Sequence, residues 1–221
     1  MKKVIAIDGP SGAGKSTIAK LLAKELNYAY LDTGALYRAV ALNLTRLGIN
    51  ELASDEELLP ALKKTKVEFK EGLVLLNGKD VSGEIRSPEA GHYASVFSAR
   101  YPVREHLMRI QRDAALHSDL VAEGRDMTTV VFPAAYKKFY LDASVEERSR
   151  RRTLELISKG FEADGDRIRL EIIERDARDS GRDIAPLKKA DDAYLIDSSG
   201  LSIDDVFLKI LAIINKDGNA E

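Results

Sequence analysis

Val4-Ile5-Ala6-Ile7-Asp8-Gly9-Pro10-Ser11-Gly12-Ala13-Gly14-Lys15-Ser16-Thr17 is the stretch that decides the fold. Val4 to Ile7 is a short unbroken apolar run rich in β-branched residues, which predicts a strand buried on both faces. From Gly9 the residues match G-x-x-x-x-G-K-[ST], a phosphate-binding loop pattern. Ile18, Leu21, Leu22 and Leu26 then recur at helical spacing. The pattern has a mechanical reason. Glycines let backbone N–H groups converge on phosphate oxygens, and the helix that follows points its positive end at the same oxygens. Lys15 is expected to face solvent and the β- and γ-phosphates, and the Ser16 hydroxyl to ligate Mg²⁺. The competing reading is a glycine-rich turn that merely joins strand to helix. Agreement of the pattern with both flanking elements argues against it.

Outward from this loop the chain alternates strand and helix. Tyr28 to Leu31 reads as a second strand running into Asp32-Thr33-Gly34, and Ala35 to Leu47 as a helix with Gly48 as its cap. Residues 64–87 differ in texture: Val67-Glu68-Phe69 and Leu73-Val74-Leu75-Leu76 flank a turn at Lys70-Glu71-Gly72, and Asn77-Gly78 signals a second turn. This predicts a small antiparallel insertion, followed by amphipathic helix between Pro88 and Leu116. Three further strands end in acidic or small polar residues: Leu120-Val121-Ala122 before Glu123, Lys138-Phe139-Tyr140-Leu141 before Asp142, and Ala193-Tyr194-Leu195-Ile196 before Asp197. Ligand-facing carboxyl ends of a parallel sheet read this way. A last helix is expected from Ile203 to Ile214.

Composition narrows the function. The 221 residues carry 34 Lys+Arg and 36 Asp+Glu, a net charge of −2, so no cationic excess suggests nucleic acid or an anionic membrane. There is no cysteine, which excludes thiolate chemistry and Cys-based zinc, and the three histidines have no metal-ligand spacing. The apolar run at the N-terminus is too short for a signal peptide, and no run approaches a membrane span. A cytoplasmic monomer is expected.

Three constellations carry the acceptor chemistry. Thr33 and Arg38 flank the start of the second helix, where an arginine one turn in can clamp a phosphate or lie solvated at the surface. In Glu123-Gly124-Arg125-Asp126-Met127, sequence neighbours of opposite charge cannot easily face each other, so Arg125 and Asp126 are expected to address different partners. On a helix, Arg175, Asp179 and Arg182 share one face, and Gly181 would end that helix and turn Arg182 inward. Residues 145–183 hold ten cationic and eleven acidic side chains. That balance suits a self-neutralised helical lid around a polyanion better than a nucleic-acid stripe.

Together these motifs resemble the bacterial cytidylate kinases, which are nucleoside monophosphate kinases. The resemblance rests on the loop from Ile7 to Lys15, on Leu31-Asp32-Thr33-Gly34-Ala35-Leu36-Tyr37-Arg38, on Asp80-Val81-Ser82-Gly83-Glu84-Ile85-Arg86, on Gly124-Arg125-Asp126-Met127-Thr128-Thr129-Val130-Val131-Phe132-Pro133 and on Glu174-Arg175-Asp176-Ala177-Arg178-Asp179. It implies an α/β fold: a five-stranded parallel P-loop core with helices on both faces, an enlarged monophosphate-binding insert with a small antiparallel sheet, and a short helical lid. Residues 1–221 would form one kinase domain, with a monophosphate-binding region at 33–110, its insert at about 64–98 and a lid at 148–165. It further implies transfer of the γ-phosphoryl of ATP to CMP or dCMP with Mg²⁺. Carried over by motif, Gly9, Pro10, Ser11, Gly12, Ala13, Gly14, Lys15, Ser16 and Thr17 would cradle ATP, with Arg148 and Arg152 as lid arginines. Ser95, Arg104 and Asp126 would read cytosine. Arg38, Arg125 and Arg182 would hold the CMP phosphate, Arg175 and Asp179 would meet the ribose, and Thr33 and Tyr37 would line the pocket. Lys15, Arg125 and Arg182 would be catalytic. The alternatives are a kinase for another monophosphate or small metabolite, and a nucleotide-dependent switch, which would not need the acceptor arginines.

Overall fold

The computed structural model describes residues 2–70 and 72–218. The chain divides into two compact units, one made of residues 1–30 and 119–221 and the other of residues 31–118.

The first unit is built on β1 (Val4–Asp8), every residue of which is buried. The five-stranded sheet has the order β2 (Ala29–Asp32), β6 (Leu120–Glu123), β1, β7 (Lys137–Asp142), β8 (Tyr194–Asp197). β1 pairs in parallel with β6 and β7, and β7 with β8. Both faces of a parallel strand are covered, which is why β1 and β6 read as continuous apolar runs. Helix α1 (Lys15–Leu26) buries Ile18, Ala19, Leu22 and Ala23, and α8 (Ile203–Gly218) buries Val206, Ile210 and Ile214 against the same core as Ile5, Ile7, Val121, Phe139 and Leu141. A smaller cluster of Leu156, Ile168 and Ile172 joins α6 (Val145–Ser158) to α7 (Gly165–Gly181).

In the second unit α2 (Thr33–Arg46) starts on Asp32, whose carboxylate accepts the Ala35 N–H at 2.8 Å. It ends as the sequence predicts. The Gly48 N–H bonds the Thr45 carbonyl and the Ile49 N–H the Leu44 carbonyl, with Gly48 at φ +76°. That pair of bonds needs a left-handed residue after the cap. The insertion is a three-stranded antiparallel sheet of β3 (Val67–Lys70), β4 (Leu73–Leu76) and β5 (Lys79–Asp80). Asn77 and Gly78 take φ +50° and +79°, the pair of positive angles that a two-residue hairpin of this type demands. Glu71, in the first predicted turn, lies outside the described residues.

Two features differ from the sequence reading. Helix α3 (Asp55–Lys63) was not foreseen, although Ser54 and Glu57 form a capping box that announces it. The amphipathic stretch from Pro88 is two helices, α4 (Pro88–Phe97) and α5 (Tyr101–Asp113). Arg100 leaves helical geometry at ψ 126°, because Pro102 has no N–H to donate and starts a helix better than it continues one. Among the described residues no helix is long and apolar enough to cross a membrane.

Candidate active site

In the first unit the loop after β1 turns through Gly9 at φ +147°. A Cβ there would lie 1.9 Å from the Leu141 carbonyl oxygen on β7, so only glycine is accommodated. Lys15 opens α1 behind Gly14. It does not face solvent as expected: the residue is only 5% exposed, and its Nζ donates to the Pro10 carbonyl at 2.7 Å. The loop curls around the ammonium and solvates it with its own backbone. Burial first, and then the positive charge of Arg125, pull the Lys15 ammonium down to about 7, against the opposing pull of Glu123. Ser16 and Thr17 point outward on the exposed side of the helix start.

The loop is braced from outside. Arg148, on α6, is buried and donates from Nε to the Ala143 carbonyl at 2.9 Å and from Nη1 to the Ser11 carbonyl at 3.1 Å. The same Nη1 lies 2.7 Å from Asp176 on α7. Arg151 donates to the Ser198 carbonyl at 2.7 Å, and the Ser198 hydroxyl, 2.9 Å from the Asp142 carbonyl, also lies 3.3 Å from the Ala13 carbonyl of the loop. Arg152 instead pairs with Glu155 at 2.9 Å on the same helix. Of the two predicted lid arginines, then, Arg148 touches the loop backbone and Arg152 pairs locally. Arg151, passed over in the sequence, holds the residue after the next β-strand.

The exit of β6 carries Arg125 and Asp126, the second of the predicted constellations. Arg125 and Asp126 do address different partners. The Arg125 Nε donates to Asp179 on α7 at 2.9 Å, while the Asp126 carboxylate lies 3.9 Å from the Arg182 guanidinium. Burial alone would lower the proton affinity of Arg125, but the carboxylates of Asp179, Glu123 and Asp176 together outweigh it and the net shift is upward. Burial likewise pushes the Asp179 carboxyl up, and Arg125, Arg175 and Arg182 together hold it below its usual value. The Arg175 Nε lies 3.8 Å from Asp179. Gly181 is the last helical residue of α7, and Arg182 is extended at ψ 143° with its Nε on the Ala185 carbonyl at 2.7 Å. Helix termination turns this arginine inward as the sequence suggested.

Two buried carboxylates here stand outside the predicted site residues. Glu123 ends β6 beside Ile7 of β1 and accepts the Tyr30 hydroxyl at 2.9 Å. Asp8 ends β1 and binds the chain just after Asp126. An acidic residue closing a fully apolar strand was the signal available for both.

In the second unit Thr33 is buried at the start of α2. Arg38, one turn on, lies 3.4 Å from Asp32, the carboxylate that also caps the helix. The Arg104 guanidinium sits over the Tyr37 ring, 5.7 Å from its centroid, and donates to the Ser98 carbonyl at 3.0 Å. Ser95 is buried on α4, and its carbonyl accepts the Ser98 hydroxyl at 3.0 Å. Tyr37, Ser95 and Arg104 are therefore linked within this unit through one ring contact and one serine.

A parallel sheet whose first strand delivers a glycine-rich loop, a lysine and a helix start defines a P-loop protein, and the arginines gathered at the neighbouring strand end suit a second phosphate. The sequence pattern described as Cytidylate kinase matches residues 5–216, and the chain belongs to that family. A cytidylate kinase of Thermosipho melanesiensis is 50% identical over 212 residues, covering 96% of both chains. One from Bacillus cereus is 44% identical over 215 residues, covering 96% of this chain and 95% of its own. A crystal structure of an uncharacterized protein from Eubacterium ventriosum shares the fold, with a TM-score of 0.54 at 14% identity over 98% of this chain and 99% of that one.

Proposed function

We propose that the protein transfers the γ-phosphoryl group of ATP to the α-phosphate of CMP or dCMP, giving ADP and CDP or dCDP. The observation that carries this reading is the buried Lys15 in the donor loop with the Arg125–Asp179 and Arg182–Asp126 pairs at the exit of the adjacent strand, in a chain of the cytidylate kinase family. The acceptor oxygen of CMP is anionic at neutral pH, so no strong general base is required. The work left to the protein is to bring two polyanions together and to stabilise the charge that moves between them. Lys15 and the loop N–H groups serve the donor, with Arg148 acting on the loop through the Ser11 carbonyl. Arg38, Arg125 and Arg182 serve the CMP phosphate, Arg175 and Asp179 the ribose, and Ser95, Arg104 and Asp126 the cytosine, with Thr33 and Tyr37 beside them.

Mg²⁺ would neutralise phosphate charge and would be held mainly by the phosphates and water, as this ion prefers. The exposed Ser16 hydroxyl and the buried Glu123 carboxylate are hard oxygen donors of the right kind for it. A coupled assay with ATP, Mg²⁺ and a panel of CMP, dCMP, UMP, AMP and small hydroxylated metabolites tests the reading. CMP and dCMP are expected to give the highest kcat/KM, and a better acceptor elsewhere in the panel would overturn the assignment.

Residues 148–165 are proposed as the lid and residues 33–110, with the insert at about 64–98, as the monophosphate-binding region. A closing lid excludes water from the transferring group. Hydrogen exchange is expected to slow in 148–165 and in 64–98 when CMP and an unreactive ATP analogue are both added. Unchanged exchange in both segments would remove closure from the mechanism.

A further inference from the structure

We infer that Asp8 is a positioning residue, whose carboxylate fixes Arg125 and Asp126 relative to the strand that launches the donor loop. The inference rests on the proposed CMP kinase activity and assigns a role to a residue to which that proposal gives none.

Asp8 is the last residue of β1, wholly buried, and directly precedes Gly9. Its Oδ1 accepts the Met127 N–H at 2.9 Å. Its Oδ2 accepts both the Thr128 N–H and the Thr128 hydroxyl, each at 2.7 Å. On the other side of the acceptor pair, the Gly124 N–H donates to the Ile7 carbonyl at 3.0 Å. Arg125 and Asp126 therefore form a two-residue arch, tied at both ends to the last two residues of β1. From that arch Arg125 reaches Asp179 and Asp126 faces Arg182.

A carboxylate in this place is costly to keep. Burial pushes the Asp8 carboxyl up to about 6, even though its three hydrogen bonds act the other way. An apolar residue would end a buried strand more cheaply, but it could not collect two backbone N–H groups and a hydroxyl. What the carboxylate adds is register. One strand end fixes the turn into the phosphate loop and, through Asp8, the exit that carries the acceptor side chains. In-line transfer depends on that register, since a misplacement of about 1 Å can cost about a hundredfold in rate.

Thr128→Val, Thr128→Ser and Asp8→Asn test this by steady-state kinetics together with calorimetric binding of CMP and of an unreactive ATP analogue. Thr128→Val keeps the shape and deletes one donor to a charged acceptor, and kcat/KM for CMP is expected to fall about tenfold. Thr128→Ser keeps the hydroxyl and is expected to stay within about twofold of the parent. Asp8→Asn places an amide donor against the Thr128 donors and is expected to lose about a hundredfold toward CMP. In all three the dissociation constant of the ATP analogue should move less than about twofold, because the loop's own backbone still holds it. Equal weakening of both ligands, or a serine variant as impaired as the valine variant, would reduce Asp8 to a fold anchor and overturn the inference. Unchanged CMP kinetics in Thr128→Val and Asp8→Asn would also overturn it. If Asp8→Asn does not fold, the two Thr128 variants decide alone. A parent protein that neither binds nor phosphorylates CMP would instead bring down the proposed function, and this inference with it.

Discussion

Lys15→Met is expected to lower kcat by about 10²–10³ at saturating ATP while leaving the protein folded. The ammonium is buried against the Pro10 carbonyl, so it is already desolvated and aimed before a phosphate arrives. That preparation has a cost in the ligand-free protein. Burial, and then Arg125, bring Lys15 down to about 7 from an ordinary 10.5. Between those two values the unfolded chain binds more protons than the folded one, so this group makes stability rise with pH across that window. Below about 7 both states are charged and the full penalty applies. Lys15→Met removes it, so the variant should melt no lower than the parent at pH 7, and its advantage should shrink toward pH 10. Nucleotide phosphates would restore the proton, so ATP binding at pH 8 should take up protons in the parent and not in the variant. Calorimetry in two buffers of different ionisation enthalpy reads this directly. Turnover within a few-fold of the parent would remove Lys15 from the donor site.

These two sides of Lys15 show what a sequence can and cannot convey. Its place in the loop follows from spacing, because a loop that wraps phosphate needs glycines, a lysine and a helix start at set intervals. The capped end of α2 and the Asn77-Gly78 hairpin were legible for the same reason: each is set by the conformational range of one or two adjacent residues. Local rules also held the answer for α3 in its capping box, and for the break before Pro102. The partners of the charged side chains were another matter. Arg125 meets Asp179 across 54 residues, and Arg148 meets the Ser11 carbonyl across 137. Along the chain, Arg148 reads as a partner of Arg152, one turn later on the same helix. Only the packing of α6 beside the loop turns it onto a backbone carbonyl. The burial of Lys15 and the role of Asp8 likewise depend on which strands become neighbours.

Asp126→Ala is expected to lower kcat/KM for CMP by about 10²–10³, and for UMP far less, so that the ratio between them collapses. Cytosine carries an amino donor at N4 and an acceptor at N3, whereas uracil has a carbonyl at O4 and a donor at N3. A carboxylate can accept from the cytosine amino group, and a guanidinium can donate to N3 and O2. Asp126 and Arg104 are the residues proposed for those two tasks. Faced with uracil, the carboxylate meets an oxygen and the guanidinium meets an N–H. Buried charged groups without suitable partners cost several kcal/mol. Asp126 is buried 3.9 Å from Arg182, which is proposed to hold the acceptor phosphate. The alanine variant alone could therefore act through Arg182, and Asp126→Asn separates the two routes. An amide can accept from a cytosine amino group in one orientation and donate to uracil O4 in the other. It also removes the charge beside Arg182 as fully as alanine does. If Asp126 reads the base, the asparagine variant should regain UMP activity relative to the alanine variant while both remain impaired toward CMP. If Asp126 acts only by steadying Arg182, both variants should lose CMP and UMP activity by the same factor. KM for ATP should stay within about twofold throughout, because the lost contact concerns the acceptor and not the phosphate loop.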